Sequence, residues 1–138
     1  MPKHDIVHDA AKNALIKDGW TITHDPYVLP FGEQKLFVDL GAEAPIGAEK
    51  AGRKIAVEIK SFVGLSAVTD LERAIGQYTL YAFLLDREDP NRTIFLAVTE
   101  DVYDEVFDVR GAREVVSGLH IRVMVFDLER ETITKWIE

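Results

Sequence analysis

Glu58 and Lys60 stand two residues apart in a run, Arg53 to Lys60, where Ile55, Val57 and Ile59 alternate with Lys54, Ala56, Glu58 and Lys60. A strand has a two-residue side-chain period, so this run places Glu58 and Lys60 on one face. Asp39 lies in a second strand-forming run, Lys35-Leu36-Phe37-Val38-Asp39-Leu40. A carboxylate between Val38 and Leu40 is costly to bury unless a cation or hydrogen-bond donor meets it. If the two runs pair as a hairpin, Asp39 and Glu58 converge. They can then bind one divalent cation through hard oxygen ligands, with the Ile59 carbonyl as a third donor. Lys60 would stand where it can orient an attacking water or offset charge on a phosphate. The alternative for all three residues is a solvated strand face with a cross-strand ion pair, which contributes only about 0 to 1 kcal/mol.

The elements that must position these residues follow from periodicity. His4 to about Gly19 has Ile6, Val7, Ala10, Ala11, Ala14 and Leu15 at helical spacing, which predicts an amphipathic helix ended by Gly19. A short strand is expected over Trp20 to Thr23, and Asp25-Pro26 and Pro30 then break the chain. Lys35 to Leu40 enters the hairpin, and Ala44 to Gly52, with Pro45, Gly47 and Gly52, reads as its loop. Ser66 is the expected N-cap of a long helix to about Asp86, with Leu71, Ile75, Tyr78, Ala82 and Leu85 as its buried stripe. Thr93 to Val98 is a short apolar strand expected to be buried on both faces. Two acidic helical stretches, Glu100 to Phe107 and Gly111 to Ser117, precede a closing strand pair, His120 to Leu128 and Thr132 to Ile137. The predicted fold class is α/β, a sandwich of helices around one central mixed sheet in a single domain over residues 1–138.

Composition narrows the function classes. The chain has 138 residues, 47% hydrophobic and 29% charged, and no Cys, so neither disorder nor a disulfide frame nor a thiolate zinc site is expected. Its apolar runs are far shorter than the roughly 20 residues a membrane span needs, and the opening turns acidic before any apolar leader, so a cytoplasmic protein is expected. The formal net charge of −8 argues against a nonspecific nucleic-acid coat protein. It is unevenly spread: residues 1–60 carry eight basic and nine acidic side chains, and residues 61–138 eight basic and fifteen acidic. A polyanion would meet the first half, where His8 and Lys12 lie one helical turn apart and Lys50, Arg53 and Lys54 form the densest basic cluster. His8, Lys12, Arg53 and Lys54 are therefore candidate phosphate contacts, against a polar helix face and a solvated hairpin tip. His4, His24 and His120 show no ligand spacing. Glu43 reads as a hairpin charge or a further carboxylate, and Glu100 to Asp108 as a solvated acidic helix face or a docking surface for a basic partner.

Helix, Asp39 strand, Glu58-Ile59-Lys60 strand and long helix, in that order, resemble the PD-(D/E)xK nuclease superfamily, which includes many restriction enzymes, junction resolvases and RecB-like nucleases. Gln77-Tyr78-Thr79-Leu80-Tyr81 matches the QxxxY element that RecB-like members carry on that helix. The resemblance implies a restriction-endonuclease-like fold, Asp39 and Glu58 as ligands of Mg²⁺ or Mn²⁺, Lys60 and Gln77 as further catalytic residues, and Tyr81 as a substrate contact. The sequence departs from the pattern at Val38, where many members have Pro, and at His8, where related nucleases often place a helix-1 Glu.

Nearly the whole chain is similar to the XisH family, controlling factors for excision of the fdxN element in cyanobacteria. The similarity rests on Ala11 through Pro26, on Val57-Glu58-Ile59-Lys60-Ser61-Phe62, and on the tail to Trp136-Ile137. It implies a nuclease-like fold acting on DNA with a site-specific recombinase and a small XisI-like partner, with a homo-oligomer also open. Two functions remain: a metal-dependent DNA endonuclease, or a noncatalytic module of the same fold that regulates a recombinase, which the acidic second half favours. A nucleotide binder lacks support, because Gly64, alone between Val63 and Leu65, is no phosphate loop.

Overall fold

The computed structural model describes residues 3–31, 34–35, 45–62, 64 and 66–138. Helix α1, Lys3–Lys17, is followed by strands β1 (Thr21–His24), β2 (Pro30–Phe31), β3 (Gln34–Lys35), β4 (Ile46–Lys50) and β5 (Arg53–Ile59). Helix α2, Ala67–Glu88, leads into β6, Arg92–Thr99. A single turn α3, Glu100–Val102, runs on as a π-helical turn, Tyr103–Phe107, before α4 (Arg110–Gly118), β7 (Val123–Asp127) and β8 (Thr132–Ile137).

Six strands form one mixed sheet in the order β1-β4-β5-β6-β7-β8, and β2 and β3 pair separately. β5, β6 and β7 are parallel neighbours, while β1/β4, β4/β5 and β7/β8 are antiparallel. The expected α/β sandwich is the architecture observed. Alternation on the central strands divides the core. Ile55, Val57, Phe95, Ala97, Met124 and Phe126 face the α1 layer, where Ala10, Ala11, Ala14 and Leu15 are buried. Ala56, Ile94, Leu96, Val98, Val123 and Val125 face α2 and α4. Among the described residues no helix is long and apolar enough to cross a membrane.

Local sequence explains the element ends. Gly19 takes φ +95°, its N–H donates to the Ile16 carbonyl (3.0 Å), and Trp20 N–H reaches back to Leu15 (3.0 Å). This closes α1 with a left-handed residue that glycine adopts without steric cost. Ser66 caps α2 as expected, its side chain accepting from Thr69 N–H at 3.3 Å.

The structure corrects two expectations. Residues Ile46–Lys50, read from sequence as loop, are strand β4, and only Ala51 and Gly52, both at positive φ, make the turn into β5. Gly47 misled the pattern: a Cβ there would lie 2.8 Å from His24 Nδ1 and 2.9 Å from the Tyr27 ring, so it is a close-approach glycine inside a strand. The α2 stripe is also rotated. Ala74, Tyr78, Tyr81 and Leu85 are its buried centre, and Leu71, Ile75 and Ala82 are only partly covered. The small Ala74 and the long Tyr81 side chain together let the helix sit over the sheet on that side.

The closing hairpin is pinned by Asp127, whose Oδ1 accepts from Arg130 N–H at 2.8 Å. That backbone bond holds the carboxyl below its ordinary value of 3.8. A depressed carboxylate adds stability above its unfolded pKa, and this is lost as pH falls through the folded value. Asp127→Ala should therefore lower the Tm at pH 7 relative to wild type, and the two melting curves should merge as the pH is taken well below 3.8.

Candidate functional site

Glu58 is the second-last residue of β5 and faces α2. Lys60 lies just beyond the strand, yet its N–H still donates to the Ala97 carbonyl of β6 at 3.0 Å, so the strand ladder fixes its backbone. The two side chains lie together, Lys60 Nζ 3.5 Å from Glu58 Oε1. Lys60 Nζ also donates to Gln77 Oε1 across from α2. The Glu58 side chain is 0% exposed and that of Lys60 17%. A charge so deeply placed requires compensation, and an ammonium at this distance contributes to it. Tyr81, one turn after Gln77, is 1% exposed and belongs to the α2 core.

The sequence-derived candidates thus divide. Lys60 joins Glu58 to Gln77, and Tyr81 belongs to the α2 core. Lys54 shares the face of Glu58 but lies four residues away along β5, about 13 Å. Arg53 is on the opposite face, its guanidinium over the Phe95 ring at 5.6 Å and paired with Glu138. His8 and Lys12 are in the α1 layer and both engage Asp25, at 3.3 Å and 2.8 Å. Lys50 reaches the Asp18 carbonyl and carboxylate. Asp39 and Glu43 lie outside the described residues. The expected hairpin of the Lys35 run with Arg53–Lys60 is not the pairing observed: β5 lies between β4, with Ile46 opposite Val57, and β6, while Lys35 pairs with Pro30.

Directly after Lys60 the chain turns sharply. Phe62 takes φ +53°, an uncommon conformation for a side-chain-bearing residue, and its ring is held edge-on against Phe107 at 5.5 Å. Gly64 N–H donates to Asp70 Oδ2 at 2.8 Å, tying this loop to the first turn of α2. A cavity of about 510 Å³ opens here, walled by Ile6 and Val7 of α1, Ser61, Phe62 and Gly64, Thr99 and Leu128. Ser61 and Phe62 stand in the Val57–Phe62 stretch noted from sequence, but no motif marked these residues as a cavity. The signal that finds them is topological: open α/β sheets bind ligands beyond the carboxyl ends of parallel strands, and this cavity lies at the ends of β5 and β6.

Glu58 offers hard oxygen chemistry, which suits Mg²⁺ or Mn²⁺, and Mg²⁺ commonly takes only one or two carboxylates besides water. Among the described residues no group of three or more His, Cys, Asp or Glu side chains is assembled to hold a metal.

Comparison with known proteins gives a consistent result. The family described as "XisH protein" matches residues 1–134. A crystal structure of an XisH family protein from Nostoc punctiforme PCC 73102 is similar at 36% identity and TM-score 0.88, over 97% of this chain and 100% of that one. A crystal structure of a fdxN element excision controlling factor protein from Anabaena variabilis gives 36% identity and TM-score 0.88, over 97% and 99% of the two chains. A search of curated proteins finds no match.

Proposed function

Because this chain belongs to the XisH family, we propose that it controls excision of a DNA element, acting as a metal-dependent endonuclease that hydrolyses phosphodiester bonds. The supporting observation is the contact of Glu58, Lys60 and Gln77 at the carboxyl end of β5. A buried carboxylate beside an ammonium, itself oriented by an amide from the next helix, is the pattern of the PD-(D/E)xK nucleases with a QxxxY helix. The excision role rests on the description of the Anabaena variabilis relative.

Glu58 and Asp39 would hold Mg²⁺ or Mn²⁺, which when bound polarises the scissile phosphate and lowers the pKa of its water. Lys60 presents N–H donors to the attacking water or to a phosphate oxygen, and developing negative charge there strengthens that hydrogen bond. Gln77 is a positioning residue: its carbonyl fixes the ammonium without touching the reacting atoms. The acidic second half of the chain repels a duplex, so DNA binding is expected to need a basic surface from a partner, an XisI-like small protein or the recombinase itself.

A second function, a noncatalytic regulator of a recombinase, is favoured by one observation: Glu58 is fully enclosed, and Lys50, Arg53 and Arg92 are each already engaged by carboxylates. The experiment is a cutting assay on supercoiled, linear and branched DNA in Mg²⁺ or Mn²⁺, with and without the XisI-like protein, comparing wild type with Glu58→Ala. Endonuclease function predicts metal-dependent cutting that falls by about 10³-fold or more in the variant. No cutting by a folded, partner-bound chain would leave the regulatory module.

A further inference from the structure

A second cavity, of about 560 Å³, lies between the Tyr103–Phe107 turn, α4 and the residues leading into β7. Its size falls in the range of about 300 to 1,000 Å³ typical of small-molecule sites. Phe107, Val116 and Ile121, all buried, and Ile137 give it an apolar lining. Arg113, His120 and Arg122 bring cationic or N–H-donating groups to the same hollow. That grouping runs against its surroundings, because residues 61–138 hold fifteen acidic side chains to eight basic.

The three polar groups are not equivalent. Arg113 is engaged by Asp108, with Nη1 2.7 Å from Oδ1. The carboxylate of Glu138, also in the wall, is drawn to Arg53. Arg122 has no ion pair among the described residues, whose pairs join other side chains. Its backbone is held on both sides: the N–H donates to Tyr78 Oη at 3.0 Å, and the carbonyl accepts from Leu96 N–H at 2.9 Å. A fixed backbone carrying an unengaged guanidinium beside an apolar hollow is suited to one class of ligand.

We propose that this cavity binds a small organic anion, with its apolar body on Phe107, Val116, Ile121 and Ile137 and its oxyanion on Arg122, assisted by a His120 N–H. A guanidinium meets carboxylate and phosphate oxygens with the same two-pronged geometry, so an oxyanion on an apolar body is the shared chemistry of either source. The site is separate from Glu58 and Lys60 and does not depend on the endonuclease function.

The test is a fluorescence titration of the full chain with 8-anilinonaphthalene-1-sulfonate, an aromatic anion. It is followed by displacement with 1-naphthoate, 1-naphthyl phosphate and uncharged 1-naphthalenemethanol. Saturable binding is expected, about tenfold or more weaker in Arg122→Gln, as loss of a charge-assisted contact dictates. Ser117→Trp, at an exposed helix position on the cavity wall, should block it, and both variants should keep the wild-type melting temperature. The better competitor of the two anions assigns the head group. Absence of saturable binding, equal displacement by the alcohol, or unchanged affinity in both folded variants would overturn the proposal.

Discussion

Lys60→Ala is expected to lower the unfolding free energy by about 2 to 3 kcal/mol, a fall in Tm on the order of 10 °C, while Glu58→Gln costs well under half of that. The asymmetry follows from burial. Removing the ammonium takes the neighbouring cation from a carboxylate that is 0% exposed, whereas removing the carboxylate's charge leaves Lys60 on Gln77 and partly in water. The range is set below the 3 to 5 kcal/mol typical of a broken buried pair because Lys60 is itself not fully buried. Glu58→Gln combined with Lys60→Ala should recover most of the loss, since the neutral site has no desolvated charge to satisfy. Urea denaturation of the four proteins measures the cycle. Equal losses in both single variants would contradict a carboxylate compensated by Lys60.

The same variants separate structure from chemistry. A structural ion pair predicts that Glu58→Gln, being nearly as stable as wild type, behaves as wild type in every assay. The endonuclease proposal predicts that this stable variant has lost metal-dependent cutting. Gln77→Ala gives the third corner: it frees Lys60 from its acceptor while leaving Glu58 in place, so a positioning role appears as a reduced cutting rate with little change in Tm.

Much of this site was legible in the sequence because its parts are local. Glu58 and Lys60 share a face by strand period alone, and Gln77 follows from a helix whose cap, Ser66, is explicit. The partners of the basic residues were not legible, because they are long-range. Nothing near Arg53 in sequence indicates Glu138, and nothing near Lys12 indicates Asp25. A cluster of cations therefore looked available for phosphate when His8, Lys12, Lys50 and Arg53 were already matched with acids from other elements. The rotation of the α2 stripe was hidden for a related reason. Leu71 and Ile75 are more apolar than Ala74, but the helix turns toward the sheet on the side where a small residue permits close approach.

Arg92 was the largest omission, and it carries the second large expected effect. The sequence pattern started the strand at Thr93, one residue after Arg92, and an arginine outside a strand is ordinarily solvated. Instead it is 7% exposed and opens β6 opposite Lys54 of β5. Its Nη1 donates to the Ile55 carbonyl at 2.9 Å, its Nε to Asp89 at 3.1 Å, and its guanidinium lies 4.8 Å from the centre of the Tyr27 ring. One side chain thus joins β5, the α2–β6 turn and the segment after β1. Arg92→Met should keep much of the packing but strand the Ile55 carbonyl and the Asp89 carboxylate, at a cost of about 3 kcal/mol. Arg92→Lys should rescue only part of this, since a single ammonium cannot serve a carbonyl and a carboxylate in the two directions a guanidinium fork reaches. Glu49→Gln is the internal control: the Glu49 contact is 3.9 Å long and half exposed, so its loss should cost less than about 1 kcal/mol. Because Arg92 sits at the opposite end of β5 from Lys60, the Arg92 variants should lose stability while the Glu58→Gln effect on cutting, measured in the same background, stays unchanged.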